Sequence, residues 1–108
     1  MEVLKFDDAR QQFALYVEIR PDDPSGYCAL GMSLAALERS EDARTQFERS
    51  IALAPMQTES SYRLGLLDLR SKDYEAATRD LWHALDYEPN DAAVYSSVGE
   101  TLKIVLHY

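Results

Sequence analysis

The stretch Gln46–Pro55, QFERSIALAP, decides the fold of this chain because its layout returns at a fixed interval. Its apolar residues Phe47, Ile51 and Ala54 are spaced by four and three positions, which places them on one face of a helix. A proline then ends the run, since proline cannot continue a helix. The same arrangement occurs three times, with 34 residues from one proline to the next: Pro21, Pro55 and Pro89.

Three further columns keep the 34-residue period: a glycine, an alanine, and a bulky apolar residue four places after the alanine. They are Gly31, Gly65 and Gly99; Ala9, Ala43 and Ala77; and Phe13, Phe47 and Leu81. Glycine within a helix costs about 0.5–1 kcal/mol relative to alanine. We therefore expect the glycines to mark close approaches of two helix backbones, with the small side chains of Ala43 and Ala77 facing them. A fixed period of this length predicts a repeat protein.

Each period reads as two helices joined by a short polar break. The first has an apolar helix, SGYCALGMSLAAL, then the break Glu38–Ser40, then the helix EDARTQFERSIALA. The next period repeats this order, with its break at Ser71–Asp73. Ser40 and Asp73 are predicted N-caps, because their side-chain oxygens can accept hydrogen bonds from the free N–H groups of a first helical turn.

These columns resemble the tetratricopeptide repeat, a family of stacked helix–turn–helix units of 34 residues. The first unit carries the signature positions Tyr27, Leu30, Gly31, Leu34, Ala43, Phe47 and Pro55. The second carries Leu64, Gly65, Ala77, Leu81, Ala84 and Pro89. The second unit departs from the pattern at Ser61 and Asp68, which stand in columns that the family fills with large aromatic residues. Tyr16 and Ser50 stand in the column that holds Ala84.

The resemblance implies an all-α fold, a right-handed superhelical stack of antiparallel helix pairs with about six helices. Residues 1–108 would form a single domain, in which 24–57 and 58–91 are repeats. Residues 1–23 would be the second helix of a preceding half repeat, and 92–108 the first helix of a following half repeat or a capping helix. Two interpretations stay open: the chain is part of a longer array, or its end helices serve as caps.

The acidic balance disfavours nucleic-acid and membrane partners. The 108 residues include 19 acidic and 11 basic ones, a net charge of −8, whereas nucleic acids and anionic membranes attract basic segments. No apolar stretch approaches the roughly 18 residues of a membrane helix, and the N-terminal MEVLKFDDAR does not read as a signal peptide. The single cysteine, Cys28, permits no intrachain disulfide, and we predict a reducing, cytoplasmic location.

No catalytic, cofactor or metal site is predicted. The glycines are spread along the chain rather than clustered in a phosphate-binding loop. The two histidines, His83 and His107, have no cysteine or histidine partner at ligand spacing, and no histidine base is placed beside Cys28. We therefore expect a protein that is not an enzyme and uses no cofactor. Trp82, the only tryptophan, is interpreted as packing between adjacent units.

The resemblance implies that the first helices line a concave groove and the second helices form the convex back. The first-helix stretches 24–37, 58–71 and 92–105 together carry three acids and three bases, so the groove would be near neutral. The candidate partner-binding residues there are Ser25, Cys28, Met32, Tyr62, Arg63, Leu66 and Arg70. Met32 and Leu66 are equally compatible with core positions, because periodicity does not assign a helix face to a partner or to a neighbouring helix.

Family members that bind acidic chaperone tails use a carboxylate clamp of Lys, Asn and Arg residues in the groove. In this chain only Arg63 and Arg70 resemble that clamp. The small, apolar lining favours an amphipathic helix or an extended peptide with apolar anchors. We therefore predict a protein–protein interaction module, a scaffold that binds a partner peptide or helix in its groove.

The alternative function is self-assembly into a homo-oligomer. Tyr95, Val98, Leu102 and Val105 form a helical stripe with no second helix following it. An exposed apolar stripe of this kind often marks an association surface.

Overall fold

The computed structural model describes residues 2–88 and 91–106, with side chains described for 5–88 and 91–104. Within these ranges the backbone forms six α-helices and no strand, which confirms the all-α prediction. The helices are α1 (Glu2–Ile19), α2 (Pro24–Ala36), α3 (Ser40–Leu53), α4 (Thr58–Arg70), α5 (Tyr74–Tyr87) and α6 (Ala92–Leu106).

The periodic prolines follow the ends of second helices. Helix α1 ends at Ile19, two residues before Pro21, and α3 ends at Leu53, two residues before Pro55. The residue before a proline is disfavoured in helical conformation, which explains the position of these ends. Pro89, the third periodic proline, lies outside the described residues.

One of the two N-cap predictions is confirmed. The Asp73 carboxylate accepts a hydrogen bond from the backbone N–H of Ala76 at 3.2 Å and caps α5. The prediction is wrong at Ser40, because α3 already includes this residue. Arg39 is the N-cap of α3, with φ −92° and ψ 70°, and its side chain makes no capping hydrogen bond.

The turns within the two helix pairs share one geometry. Glu38 and Lys72 both have a φ of 62°, the left-handed conformation that commonly terminates a helix. In both turns the next residue donates its N–H to the carbonyl five positions earlier, at 2.9 Å. These bonds run from Arg39 to Leu34 and from Asp73 to Asp68. Each turn is therefore a Schellman-type closure that leaves three residues between its helices.

The chain divides into two compact units, residues 1–55 and 56–108. In the first unit, α2 packs against both α1 and α3. Its buried apolar core includes Tyr27, Leu30, Leu34, Ala43 and Phe47. In the second unit, α5 packs against α4 and α6. Its core is a cluster of five buried side chains, Leu81, Ala84, Leu85, Val94 and Val98.

Tyr16 and Ser50, which stand in the column of Ala84, both donate side-chain hydrogen bonds in the first unit. The Ser50 hydroxyl donates to the carbonyl of Pro24 at 2.8 Å and ties the end of α3 to the start of α2. The Tyr16 hydroxyl donates to the carboxylate of Asp23, the N-cap of α2. This hydrogen bond holds the pKa of the Asp23 carboxyl below its usual range.

The periodic glycines of the two helix pairs lie against bulky side chains rather than against the alanines. A Cβ on Gly31 would lie 2.7 Å from Cε1 of Phe47, and a Cβ on Gly65 would lie 2.8 Å from Cγ of Leu81. The expected close approach therefore exists, but its partner is the bulky residue four places after the alanine. Ala43 and Ala77 are themselves fully buried.

Adding one methyl group at Gly65 is expected to lower the free energy of unfolding by about 1–3 kcal/mol, because Leu81 must move. At Gly99 no described atom lies within 4 Å of a built Cβ. Gly99→Ala is therefore expected to be neutral or to stabilise the chain by up to about 1 kcal/mol, since alanine is the better helix former. Urea unfolding of Gly65→Ala and Gly99→Ala, followed by circular dichroism, measures both. Equal effects would contradict the close approach at Gly65.

Candidate functional site

The predicted partner-binding residues of the first unit lie on α2, and they differ in accessibility. Ser25 is exposed and Met32 is 38% exposed, whereas Cys28 is buried. Cys28 and Met32 are four positions apart on one helix face, but the shorter cysteine lies beneath the surface. Because α2 carries no charged residue, its exposed face offers a partner small polar and apolar side chains.

The predicted partner-binding residues of the second unit lie on α4. Arg70 is exposed, while Tyr62, Arg63 and Leu66 are half-buried. Tyr62 packs against the core cluster of this unit, so part of its ring serves the fold. Arg63 donates from Nε to Oε1 of Glu59 at 2.8 Å in an exposed ion pair. The Glu59–Arg63 pair is neutral, which leaves Arg70 as the positive charge on this face.

The residues of the stripe predicted for self-assembly lie on α6 and differ in accessibility. Tyr95 and Leu102 are 52% and 42% exposed, and their spacing of seven residues places them on one face. Val98 is buried in the core cluster of the second unit and is not accessible to a partner. The side chain of Val105 lies outside the described residues.

The described residues hold no group of three or more His, Cys, Asp or Glu side chains that could bind a metal ion. No described helix is long and apolar enough to cross a membrane. The interpretation of Trp82 as a packed residue is wrong, because its side chain is 48% exposed. The period already indicated this, since the equivalent residue 34 positions earlier is Glu48, a charged and exposed side chain.

A buried pair of carboxyl groups in the second unit was not predicted. Asp68 on α4 is fully buried, and Asp80 on α5 is 8% exposed. Burial, together with a hydrogen bond to Asp68 and its negative charge, raises the pKa of Asp80 to about 7. The guanidinium of Arg79, whose Nε lies 3.6 Å from Oδ1 of Asp80, opposes this shift without cancelling it. Near neutral pH Asp80 is therefore protonated in part of the molecules, whereas an exposed aspartate would have released its proton.

A sequence signal for one member of this pair, Asp68, was present in the repeat columns. Residues 34 positions before Asp68 and Asp80 are Leu34, which is buried, and Gln46, which is half-buried. An acidic residue in a column that is apolar and buried in the neighbouring repeat predicts a carboxyl group in the core. The contact between the two acids is absent from the linear pattern, because it depends on the antiparallel register of α4 and α5.

Comparisons of sequence find relatives over most of the chain. A family model described as tetratricopeptide repeat matches residues 24–55. The peroxisomal targeting signal receptor of Eremothecium gossypii is 34% identical over 80 residues, 74% of this chain and 14% of that protein. The receptor of the same name from Kluyveromyces lactis is 29% identical over 94 residues, 86% of this chain and 17% of that protein. The chain thus spans less than one fifth of the length of either relative.

Comparison of structures finds the same fold in solved proteins. The first TPR of Spaghetti (RPAP3), bound to the HSP90 peptide SRMEEVD, matches with a TM-score of 0.90 and 19% sequence identity. The match covers 94% of this chain and 81% of that one. At this identity the likeness shows the fold.

Proposed function

The chain belongs to the tetratricopeptide-repeat family, and from this we propose that it is a protein-interaction module whose first helices bind the C-terminal end of a partner. The observation that carries the proposal is the charge of the exposed α2 and α4 faces. The face of α2 is uncharged, and α4 adds Arg70 to a neutral ion pair, whereas the chain has a net charge of −8. A terminal carboxylate would be repelled by most of the surface and attracted to α4.

The apolar part of these faces suits a ligand with an apolar last side chain. Met32 is exposed on α2, and Leu66 is half-buried on α4. Methionine adapts its shape to different apolar partners. Each helix is thus suited to contact a short extended peptide with apolar anchors.

The relatives support peptide binding, and their names indicate two different types of peptide ligand. Two of them are receptors for a peroxisomal targeting signal, and a C-terminal Ser-Lys-Leu is such a signal. The Spaghetti domain binds SRMEEVD, a peptide with three acidic residues. On the faces of α2 and α4 three acids would meet only Arg63 and Arg70, and Arg63 is already paired with Glu59. We favour the first type, a chain end with one carboxylate and an apolar last residue.

Fluorescence anisotropy with two labelled peptides, one ending in Ser-Lys-Leu and one ending in SRMEEVD, tests this proposal. The first is expected to bind more tightly. Arg70→Glu is expected to weaken its binding by roughly tenfold or more, because a charge-assisted hydrogen bond contributes about 1.5–3 kcal/mol. Arg49→Glu makes the same change of net charge at an exposed position of α3 and is expected to have an effect of roughly twofold or less.

Three results would count against the proposal. Equal losses in Arg70→Glu and Arg49→Glu would mean that net charge, rather than a site on α4, controls binding. Tighter binding of SRMEEVD would overturn the preference for an apolar last residue. Failure of both peptides to bind would contradict the proposal that the module recognises the C-terminal end of a partner.

A further inference from the structure

We propose that the accessible face of α4 binds a basic side chain located about five residues before the C-terminal end of the peptide ligand, and that Glu59 selects this base. This inference rests on the proposed function, because it assumes that Arg70 receives the terminal carboxylate. It adds a direction and a sequence preference to that function. The ligand runs parallel to α4, from a base at Glu59 to a carboxylate at Arg70.

Four side chains form one stripe along the accessible face of α4. They are Glu59, Arg63, Leu66 and Arg70. Their intervals of four, three and four residues place them on one side of the helix. Glu59 and Arg70 are exposed, and the two residues between them are half-buried. The stripe therefore begins with an acid, ends with a base and carries an apolar side chain between them.

The repeat itself does not require charges in this stripe. The equivalent stripe on α2, 34 residues earlier, is uncharged and consists of Ser25, Ala29, Met32 and Ala36. Since both helices pack against their second helices, the charges on α4 are available to a ligand. Glu59 and Arg70 also complement the dipole of α4. A preference among peptides, which a role in helix stability would not produce, distinguishes the two roles.

The distance between the two end charges determines where the ligand carries its base. Glu59 and Arg70 are eleven positions apart, which corresponds to about 16 Å along a helix. An extended peptide covers this distance in about five residues, at roughly 3.3 Å per residue. A ligand whose terminal carboxylate lies at Arg70 therefore places roughly its sixth residue from the end beside Glu59. Its last side chain then lies near Leu66, one turn before Arg70.

The ion pair between Glu59 and Arg63 does not prevent this role. Their side chains are 56% and 39% exposed, and an exposed ion pair on a helix contributes little to stability because water screens it. The carboxylate of Glu59 has two oxygens with several acceptor sites. A base on the ligand therefore binds Glu59 beside Arg63 or replaces it.

Fluorescence anisotropy with a set of labelled peptides tests this selection. All end in Ser-Lys-Leu and otherwise contain only alanine and serine, except at one varied position. Lysine at the sixth position from the end is expected to increase the affinity about two- to fivefold over alanine, and glutamate there to lower it by a similar factor. Lysine at the eleventh position, about 16 Å farther out, adds the same charge and is expected to change the affinity less than about twofold.

Substitution of Glu59 gives the decisive result. Glu59→Lys is expected to reverse the preference, so that glutamate at the sixth position binds more tightly than lysine, and the milder Glu59→Gln is expected to abolish it. Glu48→Lys makes the same charge change as Glu59→Lys at an exposed position of α3 and is expected to keep the preference for lysine. Arg63→Gln removes the competing base and is expected to increase that preference. Circular dichroism verifies that all four variants remain helical.

Two results would overturn the selection by Glu59 alone. Equal effects of lysine at the sixth and eleventh positions would mean that the base is attracted to the acidic chain as a whole. A preference for lysine that persists in Glu59→Lys would place the contact elsewhere. Failure of the proposed function has a different signature, in which no peptide ending in Ser-Lys-Leu binds or Arg70→Glu leaves their binding unchanged, and this result would overturn both.

Discussion

Replacing Phe47 with alanine is expected to lower the free energy of unfolding by about 3–5 kcal/mol, the usual cost of truncating a buried aromatic residue. Phe47 is 1% exposed, and its ring fills the space above Gly31. Two helices fixed by their turn cannot readily close the cavity that the ring would leave. Urea unfolding followed by circular dichroism measures the loss.

Phe13→Ala is a matched control, because Phe13 stands in the same column of α1 but is only half-buried. At concentrations where the chain is monomeric, its cost is expected to be smaller, about 1–2 kcal/mol. A cost as large as that at Phe47 would mean that burial does not determine the effect in this column.

A double-mutant cycle between Gly31 and Phe47 tests the contact itself. The three atoms nearest to a built Cβ on Gly31 all belong to the Phe47 ring. Gly31→Ala is therefore expected to destabilise the original chain but to cost little once Phe47 is alanine. The coupling energy should be about 1–3 kcal/mol. Additive effects would contradict direct packing of the ring on the glycine.

The second large effect is a dependence of stability on pH that arises from Asp80. Its pKa is raised from 3.8 to about 7 in the folded chain. Between these values the folded chain binds more protons than the unfolded chain, so stability rises as pH falls from about 7 to about 4. This contribution of Asp80 to the free energy of unfolding is lost as pH rises through its folded-state pKa of about 7. The full difference in pKa corresponds to at most about 4 kcal/mol.

Asp80→Asn is expected to flatten this pH profile and to raise the free energy of unfolding at pH 8 by about 1–3 kcal/mol, because a neutral amide replaces a buried charge. Asp68→Leu introduces the leucine found at the equivalent position of the first repeat, and it should also raise the free energy of unfolding at pH 8. Asp86→Asn changes an exposed residue of the same helix and should leave the profile unchanged. An unaltered slope in Asp80→Asn would contradict a shifted pKa at Asp80.

Much of the fold follows from the 34-residue period, because a helix pair that recurs with fixed spacing must bury the same columns each time. The period predicts the six helices, the ends near Pro21 and Pro55, and the cap at Asp73. It misplaces the cap of α3, because Ser40 has already entered the helix and Arg39 holds the non-helical conformation. It also does not predict what lies against Gly31, since side-chain direction depends on how two helices cross.

The candidate site is less predictable, because accessibility depends on depth as well as on helix face. Met32 and Cys28 share a face, yet only Met32 reaches solvent. Val98 belongs to the α6 stripe by spacing but is buried by α5, a contact that no single-helix pattern contains. The Asp68–Asp80 pair joins two helices and requires their register as well as their composition.

The Schellman closures at Glu38 and Lys72 set the connection within each helix pair at three residues. An inserted residue there would disrupt the paired backbone bonds and rotate the second helix by about 100° relative to the first. Phe47 would then no longer point at Gly31, and the same holds for Leu81 and Gly65. Natural variation in length is expected to avoid these two turns, and an epitope tag or a reporter inserted there would separate the helices that the turn unites.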